Sequence, residues 1–268
     1  MDGYETQSSP AERRCGVSWT LNHGDCLEGL RTLADKSVDV TITDPPYSAH
    51  THDKQWHGSA LTGKATKRYG THHKGLTFAC LTAQQAAGVA VEAARVTKRW
   101  VLVFTDLEGI DLWKASLLSA GLDYVRTCIW DKVDSAPQFT GDRPAAAAEA
   151  IVVAHQSGRK RWNGGGRRNV FRHAVNGSDT STQGYKPHPT TKPLPLMREL
   201  VSLFSDPGEL VLDPFAGSGS TGVACGMLGR RFIGWELDAN YYEIARRRLS
   251  GEEAKPRPEQ PSLFGGAF

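Results

Sequence analysis

Apolar and polar stretches alternate along most of the chain. Residues 17–22, 38–43, 100–104, 124–130, 150–155, 209–212 and 231–237 are short runs rich in β-branched, aromatic and other apolar residues, and each predicts a strand. Between them, residues 27–33, 82–96, 112–119, 195–204, 221–228 and 241–249 carry apolar positions at helical spacing. Strands that alternate with helices predict an α/β fold with a doubly wound, mostly parallel, Rossmann-like sheet. In such sheets ligands sit beyond the carboxyl ends of the strands.

Four stretches break the pattern. Residues 1–16 read as a polar tail and residues 251–268, rich in Pro, Glu and Lys, as a second one. Residues 48–78 are rich in Gly, His, Lys and Thr, and residues 157–192 lack a core-like pattern. Long segments of that kind inside a compact domain are usually functional.

Composition narrows the class. The chain has 268 residues, 39% hydrophobic and 23% charged, which suits one large domain, or one domain with a small appendage, and excludes global disorder. No uncharged apolar run reaches the roughly 18 residues of a membrane helix, and the first residues lack the apolar core of a secretory signal. The expectation is a cytoplasmic protein without a membrane partner. The five cysteines (Cys15, Cys26, Cys80, Cys128, Cys225) are odd in number, scattered and without a C-x-x-C pair, which argues against a disulfide framework or a four-cysteine zinc site.

Charge adds a segregation that the net +3 conceals. Residues 48–78 sum to +4 and residues 159–200 to +7, which leaves −8 for everything else. Two basic patches on an acidic body suggest a polyanionic partner. In the second patch Arg159, Lys160, Arg161, Arg167, Arg168 and Arg172 interleave with Trp162 and Phe171. Arginine reads phosphates and guanine edges, so these six, with Lys67 and Arg68 of the first patch, are candidate DNA contacts. The histidines His50, His52, His57, His72 and His73 are irregularly spaced and lack an accompanying acid or cysteine cluster, so no metal is expected.

Two turns carry candidate chemistry. Strand 209–212 runs into Asp213-Pro-Phe-Ala-Gly-Ser-Gly-Ser-Thr, where Gly217, Gly219 and Gly222 form G-x-G-x-x-G and Glu236 ends the next strand 19 positions after Gly217. Glycines allow close backbone approach to a ligand, the helix start offers free N–H groups, and the acid suits ribose hydroxyls. Any nucleoside cofactor fits that pattern, a nicotinamide dinucleotide included. Only 32 residues follow Glu236, however, and Asp-Pro before Phe215 is foreign to a nicotinamide fingerprint. The second turn, Asp44-Pro45-Pro46-Tyr47, closes the strand VDVTIT. Prolines stop the strand and leave acceptors without competing donors. A carboxylate and a neighbouring carbonyl can accept both protons of an exocyclic amine, and a tyrosine ring can stack on a flat base.

With both turns in view, residues 17–250 resemble the S-adenosylmethionine-dependent DNA amino-methyltransferases that act on adenine N6 or cytosine N4. The order, catalytic turn first and Gly-rich turn last, matches their circularly permuted β group. The resemblance implies a catalytic half at 17–156, a small target-recognition insert at 157–187 and a cofactor half at 188–250. It implies that Asp213, Phe215, Gly217 and Gly219 cradle the methionine part of the cofactor, with Ser220 and Thr221 near its carboxylate and Glu236 on the ribose. Asp25 and the Cys26 backbone would take the cofactor adenine. His188-Pro-Thr-Thr-Lys-Pro resembles the family's H-P-T-x-K-P segment, so Thr190 and Lys192 would close the methionine side. Asp44, Pro45, Pro46 and Tyr47 would serve the flipped target base. Asp rather than Ser at the first catalytic position favours adenine N6 in double-stranded DNA, with cytosine N4 as the alternative. The alternatives of another class are an oxidoreductase and a catalytically silent DNA-binding module. Gln260, Leu263 and Phe264 lie in a Q-x-S-L-F pentapeptide similar to those that dock on the bacterial sliding clamp. A nucleoid-associated enzyme is the expectation, and a homodimer stays open.

Overall fold

Residues 38–43 form the strand that organises the molecule. In the computed structural model, which describes residues 13–14, 17–47, 81–138, 141–175 and 191–252, it is β3 (Val38–Thr43). Val38, Val40, Ile42 and Thr41 have no accessible surface. A strand apolar on both faces must be covered on both faces, which is the position of a central parallel strand. Its buried Thr41 is satisfied locally: the Thr41 and Thr97 hydroxyls hydrogen-bond each other at 2.6 Å.

In chain order the described elements are β1 (Arg13–Arg14), β2 (Val17–His23), α1 (Cys26–Thr32), β3, α2 (Ala83–Val96), β4 (Thr97–Thr105), α3 (Ile110–Ser119), β5 (Asp123–Asp131), β6 (Ala148–His155), β7 (Val170–Arg172), α4 (Leu194–Phe204), β8 (Leu210–Asp213), α5 (Ser220–Met227), β9 (Arg231–Glu236) and α6 (Ala239–Ser250). The strands form one sheet in the order β1-β2-β9-β8-β3-β4-β6-β5-β7. β6 runs antiparallel to both its neighbours and β1 antiparallel to β2; the other pairings are parallel. The expected α/β doubly wound sheet is therefore present.

Alternation along β4 divides the core. Trp100, Leu102 and Phe104 join α4, α5 and α6 on one face, while Val101 and Val103 join α2 and α3 on the other. Successive side chains of a strand point to opposite faces, so one nine-residue strand feeds both layers. Caps define the helix starts: Thr82 and Gln85 close a capping box on α2, and Asp238 accepts from the N–H groups of Asn240 and Tyr241 at α6.

Two elements depart from the sequence reading. Arg13–Arg14, in the stretch read as tail, pair with Val17 and Ser18. Residues 170–172, in the patternless stretch, form the edge strand β7 beside Ile129–Asp131, with Phe171 buried. Elements of two and three residues are too short to show a period of two. Among the described residues no helix is long and apolar enough to cross a membrane.

Candidate active site at the carboxyl edge of the sheet

β2, β9, β8 and β3 are adjacent and parallel, so their carboxyl ends form a row. Along that row stand Asp25, Glu236, the Gly-rich turn and Asp44. Three strand spacings of ~4.8 Å make the row about 14 Å long. After β3 the chain crosses to β4 on one side, and after β8 to β9 on the other, so β3 and β8 flank the topological switch point. In open α/β sheets that is where ligands bind.

The Gly-rich turn is built around a buried acid. Asp213 Oδ1 accepts from the Thr43 hydroxyl at 2.9 Å and the Phe215 N–H at 3.1 Å, and Oδ2 from the Thr221 hydroxyl at 2.6 Å. Burial pushes its carboxyl up to about 7 against the pull of these donors. Gly219 has φ +80° at the start of α5, and an added Cβ would stand 3.1 Å from that of Ala245. Gly217 (φ +53°) faces open space, with only the Phe215 carbonyl 4.0 Å from an added Cβ. Gly222 plays another part: a Cβ there would stand 2.6 Å from Leu249 and 2.8 Å from Phe232, so it lets α5 lie close to the sheet.

Glu236 is held from two sides, Oε2 by the Gly217 N–H and Oε1 by the Asp238 N–H, each at 2.8 Å. Burial raises its carboxyl above the ordinary range. Asp25 caps α1 by accepting from the Glu28 N–H at 3.0 Å, and the Gly24 N–H donates to the Glu236 carbonyl. Burial, and secondarily Asp25, push the Cys26 thiol up to about 12, and burial pushes Cys128 up to about 11; neither is a thiolate nucleophile near neutrality.

Two expected cofactor contacts also have partners within the fold. The Thr221 hydroxyl serves Asp213, and the Ser220 hydroxyl lies 3.3 Å from Arg248 Nη1. The buried Asp213 carboxylate takes the Thr221 proton, while the Ser220 hydroxyl accepts from Arg248 and keeps its own proton to donate. Lys192 departs from expectation. Its ammonium reaches the Asp44 turn, while its neighbour Thr191 contacts Ser218 of the Gly-rich turn at 3.2 Å. Thr190 lies outside the described residues.

At the Asp44 turn four side chains converge. Lys192 Nζ stands 2.8 Å from Asp44 Oδ2, 2.9 Å from Glu149 Oε2 and 2.9 Å from the Tyr47 oxygen. The Tyr47 hydroxyl lies 2.7 Å from Glu149 Oε2 and 3.0 Å from Asp44 Oδ1, and donates to one of them at a time. Lys132 pairs with Glu149 Oε1 at 2.7 Å. The rings of Tyr47, Phe104 and Trp130 surround the Lys192 ammonium with centroids 5.1, 5.1 and 5.8 Å away.

The two carboxylates differ in kind. Burial raises Asp44, opposed chiefly by Lys192. Burial also works against the Glu149 anion, but Lys192 and Lys132 together outweigh it and hold Glu149 down at about 2. The asymmetry follows from Lys132, which serves Glu149 alone. Burial would lower the Lys192 ammonium, yet the two carboxylates raise it, so it is charged. The Tyr47 phenol, raised by burial and by both acids, stays neutral. Sequence reasoning missed Glu149 and Lys132. The one signal was an acid heading the apolar run IVVAH; its strand register opposite Trp130 appears only in the sheet.

The basic patch divides. β6 descends to His155, which pairs with Trp100 near the start of β4, so residues 157–161 emerge at the amino edge of the sheet. Lys160 pairs with Asp123 there, Arg161 with Asp206, and the Arg161 carbonyl accepts from the Trp100 indole. Arg159, Lys160 and Arg161 thus stand at the end opposite Asp44, about 20 Å away for a six-residue strand. Arg167 pairs with Glu199, while Arg172, at the carboxyl end of β5, pairs with Asp131 and stays largely exposed. Arg168 is exposed. Lys67, Arg68, the five histidines, Gln260, Leu263 and Phe264 lie outside the described residues.

A family model described as DNA methylase matches residues 38–247. The Type II methyltransferase M.HinfI of Haemophilus influenzae is 26% identical over 265 residues, covering 91% of this chain and 71% of that protein. The YubD protein of Escherichia coli (strain K12) is 31% identical over 230 residues, covering 85% and 88%. Among solved structures, the M1.HpyAVI–SAM complex superposes with a TM-score of 0.62 at 25% identity, covering 87% of this chain and 99% of that one.

Proposed function

The chain belongs to the N6/N4-type DNA methylase family, and we propose that it transfers a methyl group from S-adenosylmethionine to the exocyclic N6 of adenine in duplex DNA. One observation carries the reading: the acceptor-rich Asp44–Tyr47 turn stands beside the Gly-rich turn across the switch point, joined to it by the Thr43–Asp213 hydrogen bond. A donor cofactor and a target amine bound on either side of that bond would meet. The methylase match leaves the oxidoreductase alternative without support.

The residues present fit the cofactor. The open face of Gly217 permits close approach of a chain, and Glu236 is pinned with lone pairs to spare for ribose hydroxyls. Leu237, 69% exposed, offers an apolar neighbour beside Glu236, and Asp25 ends the row where the adenine would lie. When bound, S-adenosylmethionine supplies an electrophilic methyl on a sulfonium.

The protein's share is position and preorganised acceptors. Asp44 and the Pro45 carbonyl would accept the two amine protons and restore lone-pair density to a nitrogen otherwise delocalised into the ring. As the nitrogen–methyl bond forms and the methyl–sulfur bond breaks, the surplus amine proton would pass to Asp44, whose raised carboxyl is suited to take it. Tyr47 would stack on the base and offset part of the few kcal/mol that extrusion from the duplex costs. Arg172, at the carboxyl end of β7, would be a contact for the DNA.

Tritiated methyl transfer to unmethylated duplex DNA, followed by nucleoside chromatography, tests this. Label in N6-methyladenine is expected. Label in N4-methylcytosine would replace the base while keeping the chemistry, and absence of label on DNA would reject the reading.

A further inference from the structure

The acceptor that a target amine needs is already engaged. We propose that the Lys192 ammonium holds the place of the target amine on Asp44 and yields that place to an entering base, passing to Glu149; the proposal rests on the methyltransferase reading above.

The ammonium matches the amine it would stand in for. Both are nitrogen donors, and this one uses all three N–H groups, on Asp44, Glu149 and Tyr47. Aromatic faces of Tyr47, Phe104 and Trp130 enclose it. Exposure separates the two partners: the Lys192 side chain is 8% accessible and that of Asp44 26%, so the carboxylate is the partner that solvent, and an entering base, can reach. A second resting place is prepared. Glu149 Oε2 and the Tyr47 oxygen already hold Nζ, and Lys132 keeps Glu149 anionic.

Charge requires the move. A target amine gains positive charge as it takes the methyl, and an ammonium still on Asp44 would repel it at close range. Shifted onto Glu149, Lys192 stays neutralised, and Asp44 is left with both oxygens for the base and its proton. Lys192 is in this sense a positioning residue that sets how much of the enzyme is ready for DNA.

Steady-state transfer of tritiated methyl to unmethylated genomic DNA, paired with calorimetric S-adenosylmethionine binding without DNA, tests the proposal. Lys192→Met removes the competitor. KM for DNA should fall about threefold or more, because the competent fraction rises, with cofactor Kd within about twofold. Glu149→Gln leaves the ammonium Asp44 as its only carboxylate, so KM for DNA should rise by a similar factor, again with cofactor Kd unchanged. A higher KM for DNA in Lys192→Met, or a tenfold loss of cofactor affinity, would overturn the proposal, the latter making Lys192 a cofactor ligand. Should Lys192→Met fail to fold by circular dichroism, Glu149→Gln decides: an unchanged KM sinks the idea. Failure of the wild-type chain to methylate DNA would instead reject the underlying function.

Discussion

Thr43 and Asp213 are 170 positions apart and are joined by a 2.9 Å hydrogen bond between the threonine hydroxyl and the buried carboxyl. The bond fastens the last residue of β3 to the last residue of β8 and so sets the spacing of the two functional turns. Thr43→Val keeps the shape and removes the donor. A buried acceptor that loses a partner costs about 1–3 kcal/mol, so a loss of that size is expected in urea unfolding. Methyl transfer should fall as well, since the turns lose their tether.

Asp44→Ala removes the acceptor for the target amine and leaves the Gly-rich turn intact. A loss of at least about 10²-fold in kcat is expected, the range seen when one preorganised polar contact to a transition state is deleted. Cofactor binding, read by calorimetry, should persist. Equal loss of both would mean that Asp44 supports the fold rather than the chemistry.

Asp213 makes stability depend on pH with an unusual sign. Its carboxyl sits at about 7 in the folded protein against 3.8 in the unfolded chain, so the folded state binds the extra proton between those values. Stability from this group is full below about 4 and is lost as pH rises toward 7. Asp44, also raised by burial, adds the same sign. Glu149, held at about 2 against 4.5, works the other way and loses its contribution as pH falls below 4.5. Asp213→Asn should therefore flatten the decline in unfolding free energy between pH 4 and 7. An unchanged slope would show that Asp213 is already ionised throughout that window.

Gly219→Ala tests the turn itself. A left-handed backbone costs an L-residue about 1–2 kcal/mol, and the new Cβ would press on Ala245 at 3.1 Å. A loss near that figure is expected in thermal or urea unfolding, together with weaker S-adenosylmethionine binding. Gly226→Ala, where nothing lies within 4 Å of an added Cβ, is the matched control.

The division of the basic patch yields a DNA-binding test. Neutralising Arg159, Lys160 and Arg161 together should leave DNA affinity within about twofold at fixed salt, because these residues stand at the amino edge. Arg172→Ala should weaken binding and lower the slope of log affinity against log salt by about one. The opposite ranking would put the DNA on the other edge of the sheet.

Local pattern was enough wherever local physics decides. VDVTIT ends where Asp-Pro-Pro forbids another ladder bond, and the expected strand 38–43 is the one found. G-x-G-x-x-G before a helical pattern announced its own turn, because positive φ and close packing there tolerate little but glycine. Helix α4 could be read from apolar spacing in the same way.

Contacts between distant residues carry no such local mark. Glu149 meets Tyr47 across 102 positions and Lys192 meets Tyr47 across 145, so neither partner could be assigned from its own neighbourhood. Lys192 was assigned to the cofactor from its motif; the sheet turned its ammonium toward two carboxylates, since a buried charge settles where opposite charge is densest. Arg159–Arg161 follow an antiparallel strand, and the reversed direction of β6 delivered them to the amino edge although only about ten residues separate them from Arg172. By itself the sequence determined the order of the elements, the place of the two turns and their chemical character, all of which follow from periodicity and backbone sterics. Tertiary structure alone decided which charges face one another at Asp44 and on which edge each basic residue stands, because strand order and direction are properties of the assembled sheet.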